Sequence, residues 1–279
     1  MKNKLIIFHI SLLLLVTMFL AGCSFSCNLG LDTKHVRGVW WWDKTLGREY
    51  LDFAVENGIN EIYYCDSSFN EKTENFINQA QREGVKVYLL AGECEWVLDD
   101  TSLRQLIINY IAFQETTSCQ FAGIHLDIEP HQLSEWDSDR ADLLLGLITL
   151  VDTIKAEFPD ISFTYDIPMW FDDMITYKGV SKEAYKHIID YADRVFVMSY
   201  RDKVEDIYEG FKDEYLYGYD NNTPVIFSVE TASAEDNVTF KEEGGEELER
   251  ALDIMLLQVD ENLSGGAIHD IKSWYDLVK

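Results

Sequence analysis

Basic side chains are scarce in this chain. Its 279 residues carry 23 Lys and Arg against 50 Asp and Glu, a formal net charge of -27. So acidic a surface repels nucleic acid and anionic polymers, and leaves neutral or cationic ligands as candidates. Long apolar runs are confined to the first 20 residues, and no later stretch has the length to span a bilayer. Metal motifs are missing: there is no His-Glu-x-x-His or similar spacing, and no cysteine pair has metal-ligand spacing. No metal or cofactor is therefore implied. Internal repeats, linkers and low-complexity segments are also absent, so nothing divides the chain after its leader.

The leader itself is distinctive. Lys2 and Lys4 precede an almost wholly apolar Leu5–Leu20, followed by Leu20-Ala21-Gly22-Cys23. A short apolar run ending in small residues marks a cleavage site rather than a membrane span. Leu-Ala-Gly-Cys resembles the lipobox of bacterial lipoproteins. That resemblance implies residues 1–22 as signal peptide and Cys23 as the lipid-bearing first residue of a 257-residue mature chain of net charge -29. It also implies a place in the bacterial cell envelope, anchored to a membrane without crossing it. Residues 23–34 read as a tether that includes Cys27. Residues 35–279 read as one domain.

Within that domain, strand and helix patterns alternate. Strands are expected at Val36–Trp42, Glu61–Cys65, Val85–Ala91, within the stretch Phe121–His131 that begins apolar and ends in two acids, and at Ser162–Ile167, Val195–Ser199, Val225–Val229 and Gly265–Ile268. Helices are expected at Arg48–Asn57 and Asn70–Glu83, stopped by Gly58 and Gly84 in left-handed C-terminal positions. Further helices are expected at Thr101–Thr116 with Asp100 as cap, Asp137–Phe158, Ser181–Tyr191 capped by Ser181, Lys203–Tyr217 and Glu246–Asn262, with a short one at the end. Alternating units imply parallel strands with right-handed crossovers. Eight units in about 250 residues imply an α/β fold, the (β/α)8 TIM barrel, whose site lies at the C-terminal ends of the strands. Cys65 and Cys94 fall at the ends of adjacent strands, which leaves both a disulfide and two free thiols open.

The residues just past those strand ends are polar and aromatic. They include Trp42 and Asp43, Asp66, Glu93 and Glu95 with Trp96, Asp127 and Glu129, Asp166 with Trp170, Tyr200 and Asp202, Glu230, and His269. Carboxylates and tryptophans around one mouth suit a sugar: indole faces stack on pyranose rings, and glycosidic cleavage needs a positioned acid. Alternation puts Trp41 on the opposite side of its strand from Trp40 and Trp42. His131 has no evident role, and His269 reads equally as a site residue or a core histidine.

On the fourth strand, Ala122-Gly123-Ile124-His125-Leu126-Asp127-Ile128-Glu129 resembles the Asp-Gly-x-Asp-x-Asp-x-Glu motif of family 18 glycoside hydrolases, the chitinases and endo-β-N-acetylglucosaminidases. The last two acids are kept, and Ala122 and His125 replace the first two. Met198-Ser199-Tyr200 matches the family's Met-x-Tyr-Asp, with Arg201 next and Asp202 one place late. His269 stands where the family's last strand ends in a tryptophan. The resemblance implies Glu129 as general acid, Asp127 as the residue that holds the substrate's N-acetyl group while its carbonyl attacks, and Tyr200 as a donor to that group. It leaves Trp42, Asp43, Glu93, His125, Asp166, Trp170, Asp202, Glu230 and His269 as binding candidates, with His125 as an expected partner of Asp127. The expected partner is an oligosaccharide or polysaccharide with β-linked N-acetylhexosamine. Three alternatives stay open. Glu129-Pro130 and Glu230 also fit a retaining pair on strands four and seven, the same barrel can bind glycans without cutting them, and its ligand can be something other than a sugar, since fold alone does not fix function.

Overall fold

The computed structural model describes residues 35–279. The leader, Cys23, Cys27 and the tether lie outside the described residues. In chain order the strands are β1 (Val36–Trp41), β2 (Glu61–Tyr64), β3 (Lys86–Ala91), β4 (Ile124–Leu126), β5 (Phe163–Pro168), β6 (Met174–Tyr177), β7 (Val180–Glu183), β8 (Arg194–Met198), β9 (Val225–Glu230) and β10 (Gly265–His269). The helices are α1 (Arg48–Glu56), α2 (Glu71–Arg82), α3 (Thr101–Thr116), α4 (Trp136–Glu157), α5 (Ala184–Tyr191), α6 (Val204–Glu209), α7 (Lys212–Asn221), α8 (Gly245–Leu256) and α9 (Ile271–Val278). All strands but β6 and β7 close into a parallel barrel in the order β1-β10-β9-β8-β5-β4-β3-β2. This is the (β/α)8 barrel that the alternation implied.

Strand alternation sorts the side chains into two cores. Trp40, Tyr63, Tyr88, Leu90, Phe196, Ile226 and Ala267 fill the barrel interior. Their neighbours along each strand point outward and pack under the helices in a larger layer. Trp41 is one of these: it meets Phe76 at 4.9 Å between ring centroids, while Trp40 faces Tyr63 at 5.3 Å inside. Gly38 makes room for that filling, because a Cβ there would lie 2.7 Å from the Tyr63 hydroxyl. Gly58 and Gly84 take φ of +77° and +80° just past α1 and α2, as their helix-stopping role requires.

Four expectations are corrected. An antiparallel hairpin, β6 with β7, interrupts the passage from β5 to α5. Ser181 lies in β7 and pairs with Thr176, so it does not cap the helix, which begins only at Ala184. The helix expected over Lys203–Tyr217 is two helices broken at Gly210, because Phe211 leaves the helical path to become fully buried. Asp100 flanks α3 without a side-chain cap bond; its carboxylate holds Arg104, and Asp99 accepts from the Thr101 amide instead. Cys65 and Cys94 are free thiols. Among the described residues no helix is long and apolar enough to cross a membrane.

Candidate active site

The acid pair projects from the end of β4. The Asp127 amide donates to the Ala91 carbonyl at 3.0 Å, which carries the β3–β4 pairing one residue beyond the strand. Gly92 permits this approach, since a Cβ there would sit 1.9 Å from the Asp127 carbonyl oxygen. Ile128 turns outward into the buried layer, so Asp127 and Glu129 both face the mouth. They border a cleft of about 340 Å³ that Trp40, Asp166, Trp170, Tyr200 and His269 also line. Pro168, Met169, Met198, Arg201, Val238 and His131 complete its wall.

The charges in this cleft are interdependent. Burial, the nearby Asp166 and Glu129 itself all push the Asp127 carboxyl well above the usual carboxylate range. Burial pushes Glu129 up as well. Hydrogen bonds from His131 Nε2 at 2.9 Å and Gln132 Nε2 at 2.7 Å outweigh it, and the net direction is down. The two side chains are hydrogen-bonded to each other. The two carboxyls are thus driven apart: a proton is favoured on Asp127 and charge on Glu129. Tyr200 is held as a neutral phenol, because burial and then Asp166 and Glu230 disfavour its anion.

Beneath the cleft lies a buried polar layer. Asp166 Oδ2 accepts from Trp40 Nε1 at 3.1 Å and bonds His125 Nε2 at 2.8 Å, and His125 Nδ1 bonds Thr164 Oγ1 at 2.7 Å. Burial drives the His125 pKa down to about 3, so the ring is neutral. The expected bond from His125 to Asp127 is thus replaced by one to Asp166. At the last strand, Trp42 Nε1 donates to His269 Nε2 at 3.0 Å, and His269 Nδ1 bonds Glu230 Oε2 at 2.8 Å. Glu230 Oε1 accepts from the Thr231 and Ala232 amides, both at 2.7 Å.

Asp127, Glu129, Asp166, Trp170, Tyr200 and His269 are gathered in the cleft, His125 lies under it, and Trp42 and Glu230 support His269. Three candidates are elsewhere. Asp43 is exposed and closes its own turn by accepting from Thr45. Glu93 is exposed at the start of the 3-10 turn Cys94–Val97. Asp202 is buried off the cleft lining. His131 and Gln132 escaped the sequence reading although they bond Glu129 directly. The signal was Pro130, which starts the 3-10 turn Pro130–Gln132 and folds both side chains back onto the residue before it. Among the described residues no group of three or more His, Cys, Asp or Glu is placed to hold a metal.

This barrel has the fold of the family 18 chitinases, with a carboxyl-lined cleft at the C-terminal strand ends. A chitinase from Bacteroides thetaiotaomicron superposes with a TM-score of 0.56 at 13% identity, over 87% of this chain and 93% of that one. The spore cortex-lytic enzyme SleL of Bacillus megaterium gives 0.53 at 12%, over 88% and 74%. A mutant GH18 chitinase from Cycas revoluta, in complex with (GlcNAc)4, gives 0.51 at 11%, over 86% and 96%. No family model and no curated protein matches the sequence.

Proposed function

We propose that this protein is a glycoside hydrolase that cleaves glycans at β-linked N-acetylhexosamine, with Glu129 as general acid and the substrate's own acetamide as nucleophile. The observation that carries the reading is the placement of Asp127 and Glu129 side by side at the mouth of a cleft that Tyr200, Trp170 and His269 also line, with Asp127 pushed above and Glu129 held below the usual carboxylate range. An acetamide N–H that donates a hydrogen bond to Asp127 stabilises that carboxylate in its charged form, so the proton on Asp127 moves to Glu129. Glu129 then protonates the glycosidic oxygen as the C1–O bond breaks. The acetamide oxygen bonds C1 from the opposite face, oriented by Asp127 and by the phenol of Tyr200. Water opens the cyclic intermediate, Glu129 takes its proton, and the acid is restored. The chitinase fold and the oligosaccharide complex of a barrel of this fold support the substrate class.

Glu230 favours this route over a Glu129/Glu230 retaining pair. Its oxygens are engaged by two backbone amides and by His269, and it does not border the cleft. A free nucleophile needs an open lone pair facing the sugar. The test is a screen of chitooligosaccharides and aryl N-acetyl-β-glucosaminides with the native protein beside Glu129→Gln. Native turnover with about a 10²–10⁴-fold loss in the variant is expected. Binding by both without cleavage by either would establish a lectin instead.

We also propose, on Leu20-Ala21-Gly22-Cys23, that the mature protein is lipid-anchored in the cell envelope through Cys23. Mass spectrometry of the purified N-terminus should find a diacylated Cys23, and Cys23→Ser should abolish both modification and membrane association. An unmodified native Cys23 would refute the anchor.

A further inference from the structure

Asp166 and Asp127 each bring a buried, unpaired oxygen to the cleft. Oδ1 of either carboxyl has no hydrogen-bond partner. Unpaired buried carboxylate oxygens are costly, and they persist where another group completes them or where they carry a proton. The other oxygen of Asp166 is saturated: Oδ2 bonds both Trp40 Nε1 and His125 Nε2. That anchorage fixes the carboxyl on β5 and leaves Oδ1 as its only free position. The anchor is itself rigid. His125 is fully buried, tied to Thr164, and stacked on Tyr63 with ring centroids 4.3 Å apart. Asp166 thus occupies one orientation, in the same cleft as Asp127 and Glu129.

Resting on the hydrolase reading above, we propose that Asp166 is the positioning residue that keeps the acid pair charged with its proton. It does so as a third carboxyl beside the pair, delivered from β5 and locked by His125 and Trp40. Facing it are His125, Asp127 and Glu129 from β4, Tyr200 beyond β8 and His269 at the end of β10. Burial opposes the charge on Asp166, and Glu129 adds to it; together they outweigh the Trp40 bond and His269, which favour the charged form. Three carboxyls in one dry layer cannot all ionise. Removing Asp166 relieves Asp127 of a neighbouring carboxyl and lets the pair release its proton at lower pH. During turnover the proton still travels from Asp127 to Glu129 to the leaving oxygen, and Asp166 acts through Asp127. On this view β4 supplies the proton's path and β5 fixes the pH at which the path is loaded.

The test has a readout that does not depend on turnover. Infrared difference spectroscopy across a pH series follows buried protonated carboxyls, and Asp127→Asn assigns the Asp127 band. In Asp166→Asn and Asp166→Ala the midpoint of that band should fall by about one pH unit or more, the size of a close carboxyl–carboxyl coupling. Asp166→Asn keeps an acceptor for Trp40 and His125, so a shift shared by both variants belongs to the carboxyl and not to a hole in the barrel. In the hydrolysis assay the basic limb of kcat/KM should move down by the same amount. At neutral pH kcat should drop about tenfold, as expected from one pH unit, with KM little changed. An unmoved Asp127 midpoint overturns the proposal whether or not the protein hydrolyses anything. A shifted midpoint in a protein that cleaves no glycan upholds the coupling and rejects the hydrolase reading.

Discussion

His269 illustrates how a side chain can be fixed by its two neighbours. Trp42 presents an N–H to Nε2, so that nitrogen must offer its lone pair. The proton is then on Nδ1, where Glu230 accepts it. Burial disfavours a charge on this ring, but Glu230 outweighs it and raises the ring's pKa. Both nitrogens are engaged, and the imidazole lines the cleft with its face and carbon edge. Glu230 therefore acts at one remove from the substrate. Glu230→Gln must turn an amide N–H toward either the backbone donors of Thr231 and Ala232 or toward His269. The expected cost is about 1–3 kcal/mol of stability in urea unfolding, with kcat lowered within about tenfold. Asp127→Asn removes the proton carrier itself and should lose about 10²–10⁴-fold. Comparable large losses in both variants would point back to a retaining pair.

At the scale of elements, the barrel was legible because each strand end and helix end carries a local signal. Gly58 and Gly84 stop their helices, and the apolar runs between them have no other use than buried parallel strands. What escaped was decided by tertiary contact. Met174–Tyr177 and Val180–Glu183 are short and polar enough to pass for a loop, and they pair only because Lys178 and Gly179 accept positive φ at the turn. The break at Gly210 depends on Phe211 finding a core pocket, which no periodicity announces. The site divided along the same line. Asp127, Glu129, Tyr200 and His269 follow from strand alternation and reach the cleft. Asp43 and Glu93 sit one step further into loops, where local turns redirect them outward. The N-terminal end of the barrel carries another feature of this kind: Glu61 on β2 is buried, and it bonds Arg194 Nη1 of β8 at 2.5 Å and accepts from Tyr63 at 3.2 Å. Arg194→Met leaves that carboxylate with the Tyr63 hydroxyl at 3.2 Å and, on its exposed side, Lys86 at 3.6 Å. A loss of about 3–5 kcal/mol is expected in denaturant unfolding, with the cleft's activity per folded molecule unchanged. A loss under about 1 kcal/mol would mean that the pair is solvated like a surface bridge.

For the molecule as a whole, pH acts through buried acids as much as through the net charge of -27. Glu214, on α7, is buried, and that burial, opposed by a backbone bond and reinforced by Asp213 and Asp172, pushes its pKa up to about 8. In the unfolded chain it titrates near 4.5. Between these values the folded protein holds a proton that the unfolded chain has released. Its contribution is therefore fully present below about pH 4.5 and is lost as pH rises to about 8. The slope is about 1.4 kcal/mol per pH unit across that window. Asp127 and Asp166, also raised, act in the same direction. Surface self-repulsion grows with pH too, but salt screens it, with a Debye length of about 3 Å at 1 M, whereas a buried carboxyl is screened far less. Urea unfolding at high salt, at pH 5 and pH 8, should thus show the native protein less stable at pH 8. Glu214→Gln, which fits the same space without a charge to bury, should flatten the slope and exceed the native protein's stability at pH 8. Parallel pH profiles for the two proteins would show that Glu214 ionises freely in the fold, and that the pH dependence belongs to the cleft carboxyls alone.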